Sequence, residues 1–379
     1  MKNRSTKVNI LKGLGIIAVV VGHVGFPYSN VIYMYHMALF FFISGYLYNE
    51  SNEKNMFKYI LKKIKSLYIP FILFELLFVC LRNTLIDLHI YDNFDLSKVH
   101  NFSDWIPILK QIITFNFTGD SMLGAIWFLR ALFYVSILYS SFNIIYKKID
   151  TKENYYLKTF IIITLAVIGH DLLGKGYNPS TLLNPNQSKI PKLFIDILDA
   201  RNFVIMSIYY IGTLYRKYEK NIPLNIYLAI ISFFGIYYNA KIGGIDVASY
   251  TFTSPIFFIT SALFGIYLNL YISNIIFNSK FKFRLIENSG KFSIYIMIYH
   301  FISIKLVDIT IIYMNNMPLE TISSFPFSFN SKNMWMVYTL VGTIIPVTIA
   351  IIWDNLKKIS KNYISRINVR MVNIKNLTS

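Results

Sequence analysis

Apolar runs of span-like length follow one another along most of this chain, separated by short polar or basic stretches. Ten can be drawn, at roughly 10–27, 31–48, 66–86, 123–146, 156–173, 193–215, 222–239, 250–273, 291–313 and 334–353. An α-helix rises 1.5 Å per residue, so about twenty such residues cross the ~30 Å hydrocarbon layer of a bilayer. The pattern predicts an all-α polytopic membrane protein with about ten transmembrane helices. The first run is weakened by Lys12 and the sixth by Asp196, Asp199 and Arg201. The basic head before the first run resembles a signal peptide. No small-x-small cleavage site follows it and the second run begins at once, so it reads as a retained first helix.

Composition agrees. Of 379 residues 55% are hydrophobic and 15% charged, whereas a soluble globule carries about a quarter charged. The placement of charge sets the orientation. Of the 37 Lys and Arg, 26 fall in the N-terminus, in alternate loops or in the C-terminus, and 9 on the other side. The positive-inside rule puts both termini in the cytoplasm. The net charge of +18 is then mainly a cytoplasmic basic surface. It suits anionic lipid and anionic soluble ligands rather than nucleic acid. Residues 1–355 read as one membrane domain and 356–379 as a basic cytoplasmic tail, with no appended soluble domain expected. The long loop from Asn83 to Met122 holds five aspartates, Asp92 and Asp95 among them, and an amphipathic piece near Trp105 to Phe117. The Gly, Pro, Asn and Ser content of 174–192 predicts an irregular loop. No internal repeat of the transporter kind is visible. The lone cysteine, Cys80, rules out a disulfide framework, and the six histidines have no metal-ligand spacing, so no metal is expected. Abundant Ile, Asn, Lys and Tyr fit a bacterial cell membrane protein.

Candidate chemistry concentrates between Lys12 and Tyr48. His23 and His36 flank the hinge Phe26-Pro27-Tyr28-Ser29-Asn30 and lie at similar depth if both runs cross the bilayer. Ionisable groups inside apolar spans are costly and mark functional sites, although either imidazole also suits a helix-packing hydrogen bond. Eleven helical steps put Lys12 about 16 Å from His23. That geometry suits an elongated donor whose anionic end stays at the cytoplasmic surface, and a snorkelling lysine would look the same. Lys62 and Lys65 share a helix face and could bind phosphate, as an ordinary positive-inside loop also would. Ser44-Gly45 reads as a helix-packing step, and Ser44 has no nucleophile elbow around it. Further along, Arg130 lies in the outer half of span four and His300 near the middle of span nine. Lys305 and Asp308 above His300 are spaced to pair, and Glu75 lies mid-span.

Taken together, these motifs resemble the integral-membrane acyltransferase family 3, in its fucose 4-O-acetylase-like branch. The resemblance rests on Lys12-Gly13 through Gly22-His23, Tyr35-His36-Met37 through Ser44-Gly45-Tyr46, and the basic run before Tyr68-Ile69-Pro70. Weaker pieces are Ile126-Trp127-Phe128-Leu129, Tyr210-Ile211-Gly212 and Gly290-Lys291-Phe292-Ser293 ending in His300. It implies that Lys12 and His23 carry the family's catalytic signature and that Lys62 and Lys65 stand where coenzyme A is bound, with lysine in place of the usual arginine. Lysine contacts phosphate as a point charge without the bidentate fork. The implied activity is an O-acetyltransferase. Acetyl-CoA would be the acyl donor, with no bound cofactor, and a cell-surface glycan or lipid-linked sugar the acceptor. His23 would serve as general base, His36 as a second catalytic residue that orients the acceptor or shares the proton, and Ser44, Arg130 and His300 would hold substrate. The alternative is a non-enzymatic exporter of a glycan or lipid-linked sugar, with the histidines lining its passage.

Overall fold

The computed structural model describes residues 2–91, 96–116, 119–176 and 196–377. Asp92, Asp95 and most of the expected irregular loop at 174–192 lie outside the described residues. Among the described residues the chain is helical with no strand beyond an isolated bridge between Asp246 and Thr251. Every one of the ten apolar runs contains a helix. In order these are α1 (Lys2–Gly22), then a short α2 (Ser29–Tyr33) and α3 (His36–Tyr46). Next come α4 (Met56–Lys63) and α5 (Ile69–Asp87), joined by a π-helical turn at Ile64–Tyr68, and α6 (Phe102–Ile113) in the outer loop. The middle of the chain forms α7 (Trp127–Ile149), α8 (Tyr155–Gly174), α9 (Ala200–Tyr218), α10 (Ile226–Ile242) and α11 (Pro255–Asn278). It closes with α12 (Arg284–Lys291), α13 (Ser293–Met314) and α14 (Met334–Leu377).

Among the described residues seven helical stretches are long and apolar enough to cross a membrane unaided. Of the other three expected spans two are short and one is too charged. The second run breaks at Tyr35 (φ −142°, ψ −22°), which leaves α3 with 11 residues. α9 has 19 residues but carries Arg201, Arg216 and Lys217; it begins at Ala200, where the Asp199 side chain accepts the Arg201 N–H and caps the helix. α10 has 17 residues and ends before Gly243-Gly244. Two expected boundaries move as well. α1 stops at Gly22, five residues early, since Gly25 adopts φ +73° and Pro27 follows. α14 continues through the expected tail boundary at 355 to Leu377. The amphipathic piece of the outer loop is α6, with its apolar Phe102, Ile106 and Ile113 exposed as an interfacial helix requires. A capping box closes its start, where the N–H groups of Asn101 and His100 hold the Asp104 carboxyl below its usual range.

The centre of the bundle is α3, buried at every position except the half-buried Ser44. It is apolar all round because α1, α9 and α11 cover it. Glycines set the crossing with α9. A Cβ at Gly45 would strike the Tyr209 carbonyl, and one at Gly212 the Phe42 carbonyl, so each helix presents its glycine to the other's backbone. Such close approach supplies the packing that association in lipid depends on. The same device locks the N-terminal half of α1 to α12, where Gly13 meets the Ile286 carbonyl and Gly290 the Asn9 carbonyl. That contact holds the turn bearing Lys12.

At the outer end α13 packs along α14. Lys305 and Asp308 pair at 3.2 Å with no solvent exposure on either side chain. Lys305 also donates to the carbonyls of Ile322 (2.7 Å) and Ser324. Asp308 accepts the Ser328 N–H (3.0 Å) and the Tyr338 hydroxyl (2.5 Å). The sequence spacing anticipates the pair but not its role, which is to fasten the segment between α13 and α14 over the end of the bundle.

Candidate functional site

His23 sits in the turn just beyond the end of α1, its N–H bonded to the Val20 carbonyl at 3.0 Å. His36 is the first residue of α3, across the hinge. Between them stands Tyr33. Its hydroxyl lies 3.2 Å from His23 Nδ1, and its ring meets the His36 ring edge-on at 4.9 Å. His300, from α13, completes the cluster with its ring 5.6 Å from that of His23. Phe301 closes the other side, 5.1 Å from His23 and 3.9 Å from His300, and is backed by Phe325 at 4.8 Å. Phe325 belongs to the segment that Lys305 and Asp308 fasten.

Two of the three tautomers follow from the partners. His36 Nδ1 lies 2.9 Å from the Ile32 carbonyl, and His300 Nδ1 lies 3.0 Å from the carbonyls of both Ile296 and Met297. A carbonyl only accepts, so each Nδ1 carries its proton and each Nε2 presents a lone pair. The break before α3 contributes here, because it leaves the Ile32 carbonyl within reach of His36. His300 Nε2 is buried with no hydrogen-bond partner in the protein. For His23 the partner is a hydroxyl, which suits either tautomer.

A cavity of about 210 Å³ runs between α1, α3, α7 and α13. Lys12, Ser44, Leu47 and Ser293 line one end, and Phe40, Phe128 and Leu132 are among its apolar walls. At the other end are Val19, Met37 and Met297. Val19 is one helical turn before His23, Met37 is next to His36, and Met297 is one turn before His300. The inner end of the cavity is thus within about 6 Å along the chain's helical rise of all three histidines. Lys12 and Val19 are seven residues apart, which makes the passage about 10 Å long. Leu67, from the π-helical turn, also lines it, whereas Lys62 before that turn and Lys65 within it have exposed side chains. Lys63, between them, lies 5.3 Å over the Tyr59 ring.

Of the residues singled out from the sequence, Lys12, His23, His36, Ser44 and His300 therefore belong to one cavity and the cluster at its end. The Ser44 hydroxyl donates to the Phe40 carbonyl at 2.8 Å, the back-bond of a packing serine. Arg130 does not join them. Its neighbours Phe128 and Leu129 face the cavity, while its guanidinium turns to the Phe115 carbonyl (3.5 Å) and the Asn116 side chain (3.4 Å) in the outer loop. Tyr33 and Phe301 are additions. Tyr33 was accessible as the residue three before His36, but nothing local marks Phe301 beyond adjacency to His300. Among the described residues no group of His, Cys, Asp and Glu side chains could hold a metal ion.

Fold and site together define a multi-pass membrane protein whose histidines gather at the inner end of an apolar passage. Residues 6–353 match the acyltransferase domain of acyltransferase family 3, and the chain belongs to that family. It is a membrane acyltransferase domain over nearly its whole length. No curated protein and no solved structure matches the chain.

Proposed function

We propose that this domain moves an acetyl group from cytoplasmic acetyl-CoA to a hydroxyl of a cell-surface polysaccharide or its lipid-linked precursor. The observation that carries this is the apolar passage that starts at Lys12 and ends at Val19, Met37 and Met297, each within about one helical turn of a histidine of the cluster. A slim, uncharged acyl-bearing arm fits an apolar passage, while the anionic part of the donor stays with Lys12, Lys62 and Lys65 on the basic side. Lysine ammonium groups attract phosphate there and are screened by salt.

His23 is the general base. With its Nδ1–H donated to the Tyr33 oxygen, Nε2 takes the proton of the acceptor hydroxyl as that oxygen attacks the thioester carbonyl. The carbon–sulfur bond then breaks, the thiolate leaves, and the proton held by His23 passes to it. His36 fixes Tyr33 by ring contact and so orients His23 at one remove. His300 Nε2 accepts a hydrogen bond from the acceptor. Attack by His23 itself, through an acetyl-histidine, is the other balanced route and uses the same passage.

The test is to incubate the purified protein with acetyl-labelled acetyl-CoA and the de-esterified surface polysaccharide of the producing cell. Ester-linked label on the polysaccharide, with release of free coenzyme A, is expected. Export of glycan without any acetyl-CoA turnover would instead support the exporter alternative.

A further inference from the structure

A second buried polar cluster lies beyond Phe301 from the histidines and has no part in the chemistry above. Arg82, two turns along α5 from the fully buried Glu75, is 4% exposed and forms no ion pair among the described residues. Its Nε and Nη2 groups are buried without a hydrogen-bond partner. Asp120, with no exposure, uses one carboxylate oxygen to accept the Tyr91 hydroxyl and the Met122 N–H (3.1 Å). Its other oxygen, Oδ2, has no partner, and the same holds for the buried hydroxyl of Ser121. α5, which carries Arg82, packs on the turn Ser121–Ile126 that Asp120 caps, and Arg82 acts electrostatically on both Asp120 and Tyr91. Buried donors and acceptors are normally satisfied, and a group left without a partner in the protein asks for one from outside it.

The chemistry of these unpartnered groups is specific. They comprise the Nε and Nη2 donor nitrogens of a guanidinium, a carboxylate acceptor and a hydroxyl that does either. Among the described residues the cluster formally holds two carboxylates, Glu75 and Asp120, against one guanidinium, which disfavours an anion, while Arg82 disfavours a metal ion. A neutral molecule bearing adjacent hydroxyls satisfies all of them, one hydroxyl accepting from Arg82 and donating to Asp120. Location agrees. Arg82 is at the outer end of α5, and Ser121 opens the 3₁₀ turn Ser121–Ile126, whose Gly124 lies against the Phe301 ring. Phe301 in turn touches His23 and His300.

We propose that Arg82, Asp120 and Ser121 form a subsite for a neutral, hydroxyl-rich sugar unit of the acceptor, entering from the face opposite the basic loops. This extends the acyl-transfer function by placing the acceptor on the outer side of the histidines. The test measures binding alone, so its outcome is separable from that of acyl transfer. Neutral oligosaccharides cut from the de-esterified surface polysaccharide of the producing cell are titrated into the detergent-purified full chain, with coenzyme A titrated in parallel. Wild type is expected to bind the oligosaccharides, and Arg82→Met and Asp120→Asn to bind them at least tenfold more weakly with coenzyme A affinity unchanged. Ser121→Ala removes only a hydroxyl with no partner and decides the matter if the larger changes impair folding. A loss of threefold or more in oligosaccharide affinity supports the subsite. Wild-type affinity in Ser121→Ala, or no binding by wild type, overturns it, and acetyl-CoA turnover by the same preparation reports separately on the acyltransferase.

Discussion

The buried pair of Lys305 and Asp308 makes a sharp energetic prediction. Both side chains have no solvent exposure and stand 3.2 Å apart. Replacing Asp308 by Ala leaves an ammonium buried with only the Ile322 and Ser324 carbonyls for company, and takes the acceptor from the Ser328 N–H and the Tyr338 hydroxyl. Breaking a buried pair on one side costs about 3–5 kcal/mol, chiefly from the uncompensated charge. Removing both charges in Lys305→Met/Asp308→Ala leaves no charge in the pair, so what remains is the loss of hydrogen bonds, about 1–3 kcal/mol per group left without a partner. The double change is therefore expected to cost less than the sum of the single changes, with a coupling of more than about 1 kcal/mol, as contacting residues show. Denaturant unfolding in a fixed detergent, followed by tryptophan fluorescence, measures Lys305→Met, Asp308→Ala and the double variant. The same variants should lose acyl transfer, since the fastened segment carries Phe325, which backs Phe301 against His23. Single and double changes that are simply additive, or an Asp308→Ala protein as stable as wild type, would refute the assignment of this pair as the fastening of the outer segment.

Two further outcomes follow from charge. Changing both Lys62 and Lys65 to Gln should weaken coenzyme A binding and flatten its dependence on salt, without loss of insertion, because Lys54, Lys58 and Lys63 still mark that loop as cytoplasmic. An unchanged affinity would reduce the two lysines to a topology signal. In a Cys80→Ala background, cysteines placed at the exposed positions Ser97 and Ser360 should differ in intact cells, with an impermeant thiol reagent labelling position 97 alone. Labelling at 360 would reverse the orientation.

Hydrophobic patterning alone located a helix in every expected span, because in lipid the backbone must satisfy its own hydrogen bonds and α-helix is what long apolar runs become. What it missed are the interruptions. The break at Tyr35 has no glycine or proline to announce it, and its consequence, a carbonyl of Ile32 within reach of His36, depends on three-dimensional placement. The crossing of α3 with α9 was half legible, since Ser44-Gly45 marks one partner while its reciprocal at Gly212 is only a lone glycine in an apolar run. The site shows the same division. The Lys12 and His23 spacing could be read from one helix, whereas the meeting of His23 with His300 joins residues 277 positions apart. Arg130 shows the converse: it is a conspicuous cation on a helix whose other face lines the cavity, and a rotation of one residue along a 3.6-residue turn separates the two.

The most direct measurement is acyl transfer by His23→Gln, set beside His36→Gln in proteins shown to bind coenzyme A. Glutamine keeps a hydrogen-bonding side chain next to Tyr33 but takes no proton. A general base at His23 predicts a fall in the transfer rate of about 10²–10⁴-fold, with donor affinity nearly intact and a smaller loss for His36→Gln. Wild-type transfer by a stably inserted His23→Gln protein would contradict it and leave the cluster as a packing arrangement of hydrogen-bonded histidines.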